Sequence, residues 1–62
     1  MSESWPGWIR AVWPDQKLAL IRNENMNREV RLGYEWISGR ISLNAHCQVE
    51  ELPDGTKKAR ID

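Results

Sequence analysis

The chain has 62 residues, enough for one small domain and one modest core. A hydrophobic content of 40%, with no long polar tract, argues for a folded globule over disorder. Nine Lys plus Arg balance nine Asp plus Glu, which argues against a strongly basic, duplex-coating protein. No apolar run approaches the roughly 20 residues that span a bilayer, and no membrane role is expected. Met1 to Pro6 lacks a basic segment followed by an apolar one, so it does not read as a secretion signal. One cysteine allows no internal disulfide, and a reducing cytoplasm is the expected location.

Helix signals are poor, because Pro6, Pro14 and Pro53 with Gly7, Gly33, Gly39 and Gly55 interrupt the chain at short intervals. The pieces left are of strand length. Gly7 to Trp13 (GWIRAVW) predicts a first strand, Pro14-Asp15 a turn, and Lys17 to Arg22 (KLALIR) a second strand. Asn23 to Asn27 (NENMN) suits a turn, since asparagine tolerates left-handed backbone. Arg28 to Tyr34 (REVRLGY) alternates, with Val30, Leu32 and Tyr34 on one face if the strand stays regular. Glu35 to Asn44 is irregular and suits a long connection or one helical turn. Cys47 to Leu52 (CQVEEL) predicts a fourth strand, Pro53-Asp54-Gly55 a tight turn, and Thr56 to Ile61 (TKKARI) a fifth. Five short strands and one longer connection indicate an all-β barrel of the OB or SH3-like kind.

The chemistry-bearing residues are few. His46-Cys47 has no third and fourth ligand at usable spacing, so no metal or other cofactor is expected. Strand neighbours such as His46 and Cys47, or Glu50 and Glu51, point to opposite faces, so neither makes a catalytic pair. No catalytic constellation is present, and a non-enzymatic role is expected. Lys57, Lys58 and Arg60 are the one basic cluster. Period two puts Lys58 and Arg60 on one face and Lys57 on the other, with Glu50, Glu51 and Asp54 nearby as an acidic counterweight. Four tryptophans without any phenylalanine is a marked skew. Trp5 and Trp8 are expected to pack, whereas Trp13 and Trp36 are open to a core or a binding role.

Gly7 to Ile21 aligns without a gap to the pattern G-x-V-K-W-F-N-x-x-K-G-F-G-F-I. Glu29 to Ile37 aligns with D-V-F-V-H-F-S-A-I, and Ser42 to Glu50 with S-L-K-E-G-Q-x-V-E. Over nearly its whole length the chain thus resembles the cold-shock domain family, five-stranded OB barrels that bind single-stranded RNA and DNA. Ile9, Val12, Ile21, Val30, Leu32, Ile37, Leu43 and Val49 are apolar where that pattern is apolar. The ring-bearing positions differ. Ala11, Leu18 and Leu20 replace a tryptophan and two phenylalanines, Arg31 and Gly33 replace a phenylalanine and a histidine, and Tyr34 keeps a ring. The resemblance implies single-strand binding in the regulation of transcription or translation, through one sheet face. The expected contact set is Arg10, Trp13, Lys17, Leu18, Leu20, Arg31, Tyr34 and Trp36, with Lys58 and Arg60 as a phosphate-tracking pair. The competing expectation is a protein partner on the Leu18, Leu20, Tyr34 and Arg31 patch. Self-association through the leucine patch is a third reading, left open but not indicated by the sequence.

Overall fold

The computed structural model describes residues 3–62, which form an all-β, barrel-like domain. Strands β1 (Glu3–Trp13), β2 (Leu18–Asn23) and β3 (Glu29–Gly33) are followed by a 3-10 turn, Tyr34–Trp36. Then come β4 (Ile37–Ser38), β5 (His46–Glu51) and β6 (Lys57–Ile61). Among the described residues they make one curled six-stranded sheet in the order β3-β2-β1-β5-β6-β4. Every pairing is antiparallel except β4 with β6, where Ile37 lies beside Ala59 and Ser38 beside Arg60. Five strands were expected. The sixth, β4, has two residues, too few to leave a periodic signal in the sequence.

Strand β1 runs from Glu3 in spite of Pro6 and pairs with both β2 and β5. Pro6 is tolerated because its carbonyl accepts from Glu24 N, just past the end of β2. A residue's N–H and C=O point the same way in an antiparallel strand, so the donor Pro6 lacks lies on that side, beyond the last β1–β2 ladder pair at Gly7 and Asn23. Gly7 is needed for close approach: a Cβ there would stand 2.6 Å from the Arg22 carbonyl oxygen. The register against β2 slips between Ile9 and Ala11, leaving Arg10 as an extra, bulged residue.

The core consists of Ile9, Ala19, Ile21, Leu32, Ile37, Cys47, Val49 and Ala59, with Trp5, Val12, Val30 and Tyr34 packed around it. Leu43, expected among these, is 56% exposed. It lies in the loop before β5, where Ile41 and Ala45 make the core contacts instead.

The turns follow their residue chemistry. Asn23 is buried, and its Oδ1 accepts from Asn25 N at 2.8 Å and Met26 N at 3.2 Å, which fixes the loop after β2. Gly55 N bonds Leu52 O at 3.0 Å around Pro53-Asp54, and Gly55 takes φ +94°. Lys17 falls outside β2, because Gln16 N bonds Trp13 O and Lys17 N bonds Pro14 O, which leaves Lys17 at φ 54°.

Gly7→Ala is expected to lower unfolding stability by about 1–3 kcal/mol, because backbone must move to admit the methyl. Lys17→Gly is expected to raise it by roughly 0.5 kcal/mol, the relief of left-handed strain exceeding the added unfolded-state entropy. Urea titration of the two variants checks both signs.

Candidate functional site

The outer face of β1, β2 and β3 is built in rows by the cross-strand register. Trp8, Arg22 and Glu29 form one row; Ala11, Leu20 and Arg31 the next; Trp13, Leu18 and Gly33 the third. The inward alternates on β2 and β3 are the buried Ala19, Ile21 and Leu32. The bulge at Arg10 decides what β1 contributes. Unbroken alternation from the buried Ile9 would send Ala11 and Trp13 inward and Val12 outward. The extra residue reverses this: Val12 packs on the core, and Arg10, Ala11 and Trp13 face out.

Leu18 and Leu20 therefore lie half-buried at the middle of the face, with Trp13 beside them at 37% exposure. Trp36 arrives from the other side. It is 42% exposed, and its Cδ1 would lie 3.6 Å from a Cβ built on Gly33. A methyl at Gly33 would make only ordinary contact with that ring, which lies at the edge of the β3 backbone. Thus Arg10, Trp13, Leu18, Leu20, Arg31 and Trp36 form one continuous outer surface.

Tyr34 departs from the regular strand that alternation implied. β3 ends at Gly33, and Tyr34 opens the 3-10 turn, with its N–H bonded to Lys17 O at 2.9 Å. Its half-buried ring packs on the core's margin and lines a cleft of about 360 Å³ with Lys17, Leu18 and Glu35. Lys17 is thereby brought to the lower end of the same face. A second open groove, about 370 Å³, separates β3 from β6 and is lined by Arg31, Trp36, Thr56 and Lys57. Lys57 was not among the expected contacts. Its parity on β6 turns it away from Lys58 and Arg60 and into the groove it lines with Arg31, a grouping set by the curl of the sheet.

Lys58 and Arg60 do share an exposed face, as their spacing requires. That face belongs to a different surface. They line an open groove of about 520 Å³ with Ser38, Gln48, Glu50 and Asp62, separated from β2 by β5 and β1 in the sheet. Glu50 stands opposite Lys58 and Glu51 opposite Lys57, so the acidic counterweight is built into the β5–β6 pairing. The Lys57–Glu51 pair spans 3.9 Å.

Charges on the outer face are partly committed. Arg10 Nη1 lies 3.2 Å from Glu29 Oε2, and Arg22 Nη1 lies 3.9 Å from the same oxygen. Neither Lys17 nor Arg31 has an ion-pair partner among the described residues. His46 lies on β5 directly across from Trp8, on the same side of the sheet, with Nδ1 on Asp62 and Nε2 3.1 Å from Glu24 Oε1. The hydrogen bond to Asp62, with the Glu24 charge in support, raises its pKa above the ordinary 6.5. Cys47 is fully buried, and burial pushes its thiol up to about 11. No metal-holding cluster of His, Cys, Asp and Glu occurs among the described residues. Nor is any helix there long and apolar enough to cross a membrane.

Comparison with protein-family models, curated proteins and solved structures finds no match.

Two predictions concern these side groups. The His46 imidazole is expected to titrate above 6.5, and Asp62→Asn to bring it down, as followed by ring-proton NMR. A raised folded pKa stabilises the fold fully below the unfolded value, and that contribution disappears as pH rises through the folded pKa. Stability should therefore fall on going from mildly acidic to mildly alkaline solution, less so in Asp62→Asn. The Cys47 thiol is expected to resist alkylation in the native protein and to react promptly in denaturant, because the nucleophile is the thiolate.

Proposed function

We propose that the protein is a small non-enzymatic binding module that holds single-stranded RNA or DNA on the outer face of β1, β2 and β3. The observation that carries this is the grouping on one curled surface of Trp13 and Trp36, the Leu18–Leu20 centre and the free cations Lys17 and Arg31. Single-strand binders combine ring platforms for bases with cations that track the backbone, and stacking contributes about 1–3 kcal/mol per base. Two rings at the flanks, with leucines between them, provide fewer platforms than a fully aromatic face. The bases between would rest on aliphatic surface, with guanidinium planes available for stacking.

The fold details support a cold-shock-like OB barrel as the framework. Taking β4 as the continuation of β3 past the 3-10 turn gives five strands, with the parallel β4–β6 pairing at the closure. Ile9, Ile21, Leu32, Ile37 and Val49 are buried at apolar positions of the resembling pattern. Lys17 adopts φ 54° where that pattern has glycine, the residue most at ease there. In such a setting a role in regulating transcription or translation follows, with the cytoplasm as the expected location.

The test is an amide- and indole-resolved NMR titration with a short pyrimidine strand, at low and then physiological salt. Shifts should centre on Arg10, Lys17 to Leu20, Arg31, Tyr34 and the indoles of Trp13 and Trp36. Trp36→Ala should weaken binding by about 1–3 kcal/mol. Arg31→Gln should flatten the log–log salt dependence by about 0.7 if it neutralises one phosphate. A well-folded spectrum with no shifts at low salt would overturn this reading and turn the search to a protein partner for the leucine patch.

A further inference from the structure

The Trp8 end of the outer face was expected only to pack, yet it holds a second grouping of a ring and two cations. Trp8 is half-exposed and faces outward, directly across from Arg22, which is directly across from Glu29. The bulge brings Arg10 onto the same side, between this row and the next. One oxygen, Glu29 Oε2, stands 3.2 Å from Arg10 and 3.9 Å from Arg22. Arg22 also donates from Nη2 to Asn27 Oδ1, which orients its guanidinium plane. All three charged side chains reach solvent, at 52%, 29% and 36% exposure for Arg10, Arg22 and Glu29.

We propose that Glu29 is an electrostatic latch over a further nucleotide subsite, in which Trp8 takes a base and Arg10 with Arg22 takes the adjoining phosphate. This rests on the single-strand reading of the face and adds to it a position and a control. A carboxylate between two guanidiniums occupies the place a phosphate oxygen would take, since both groups present anionic oxygens that accept from arginine's planar fork of N–H donors. Exposed ion pairs of this kind are weak, so a phosphate can displace the carboxylate. Glu29 then remains nearby as a like charge, and every bound strand is opposed by it. The latch lowers affinity for any polyanion and leaves the stacking contribution intact, so it favours ligands that also place a base on Trp8.

The test compares affinities for a fluorescein-labelled pyrimidine hexanucleotide by anisotropy at low salt. Glu29→Gln keeps the side chain's size and should bind about three- to tenfold tighter than the wild type. Glu50→Gln changes net charge equally but lies on β5, outside this face, and should gain less than twofold. Adding Arg22→Gln to Glu29→Gln should remove most of the gain, and the Trp8 indole signal should shift on binding to Glu29→Gln. If the wild type binds while Glu29→Gln gains no more than Glu50→Gln, the latch is overturned and the broader function stands. Tighter binding by Glu29→Gln with an unmoved Trp8 indole would overturn the subsite. If neither the wild type nor Glu29→Gln binds, both proposals fall together. Binding by Glu29→Gln alone, with the Trp8 indole shifting, would support the latch and overturn single-strand binding by the native protein.

Discussion

The structure depends on β1 being shared. One eleven-residue strand hydrogen-bonds β2 along its second half and β5 along its first. Two local features shape it for this role. Gly7 allows the backbone of β2 to approach where a methyl would collide with the Arg22 carbonyl, and the Arg10 bulge absorbs one residue. The same bulge resets side-chain alternation, burying Val12 and turning Trp13 outward. The β1–β2 register and the composition of the exposed face are thus both set by the bulge.

That face is chemically graded. Its centre, Leu18 and Leu20, is aliphatic and half-buried, with the Trp13 and Trp36 rings on either side. At the Lys17–Tyr34 cleft and the β3–β6 groove, Lys17 and Arg31 have no ion-pair partner among the described residues, whereas at the Trp8 end Glu29 engages both arginines. Long-range attraction of a polyanion is therefore modest in a chain of zero net charge. On the proposed function, affinity for a single strand would come from contact, through ring and guanidinium stacking, more than from counterion release. The β5–β6 surface shows the opposite arrangement, where each lysine of β6 faces a glutamate of β5.

Much of this was legible in the residues, and the rest was hidden for physical reasons. Alternation in β3, asparagine chemistry after β2 and the Pro-Asp-Gly corner each specify local backbone, and each has a structural counterpart. Leu18, Leu20, Arg31 and Arg10 share a face because local strand periodicity and the bulge put them there. A bulge itself has no residue signature here, so Trp13 was ambiguous until the register was known. Trp36 and Lys57 line a groove with Arg31 only because the sheet curls, a long-range consequence no local window contains. Lys58 and Arg60 were grouped with the contact set by charge, but sheet order puts them on another surface. Leu43 looked like core because its residue type fits, yet its loop is anchored by the neighbouring Ile41 and Ala45.

Photocross-linking of a 4-thiouridine-substituted single strand, with the adducts mapped by mass spectrometry, tests the central claim most directly. Adducts on the peptides carrying Trp13, Leu18 to Leu20 and Tyr34 to Trp36 are the predicted result. Adducts confined to β5 and β6, or yields no higher than those of an unrelated neutral protein, would contradict it.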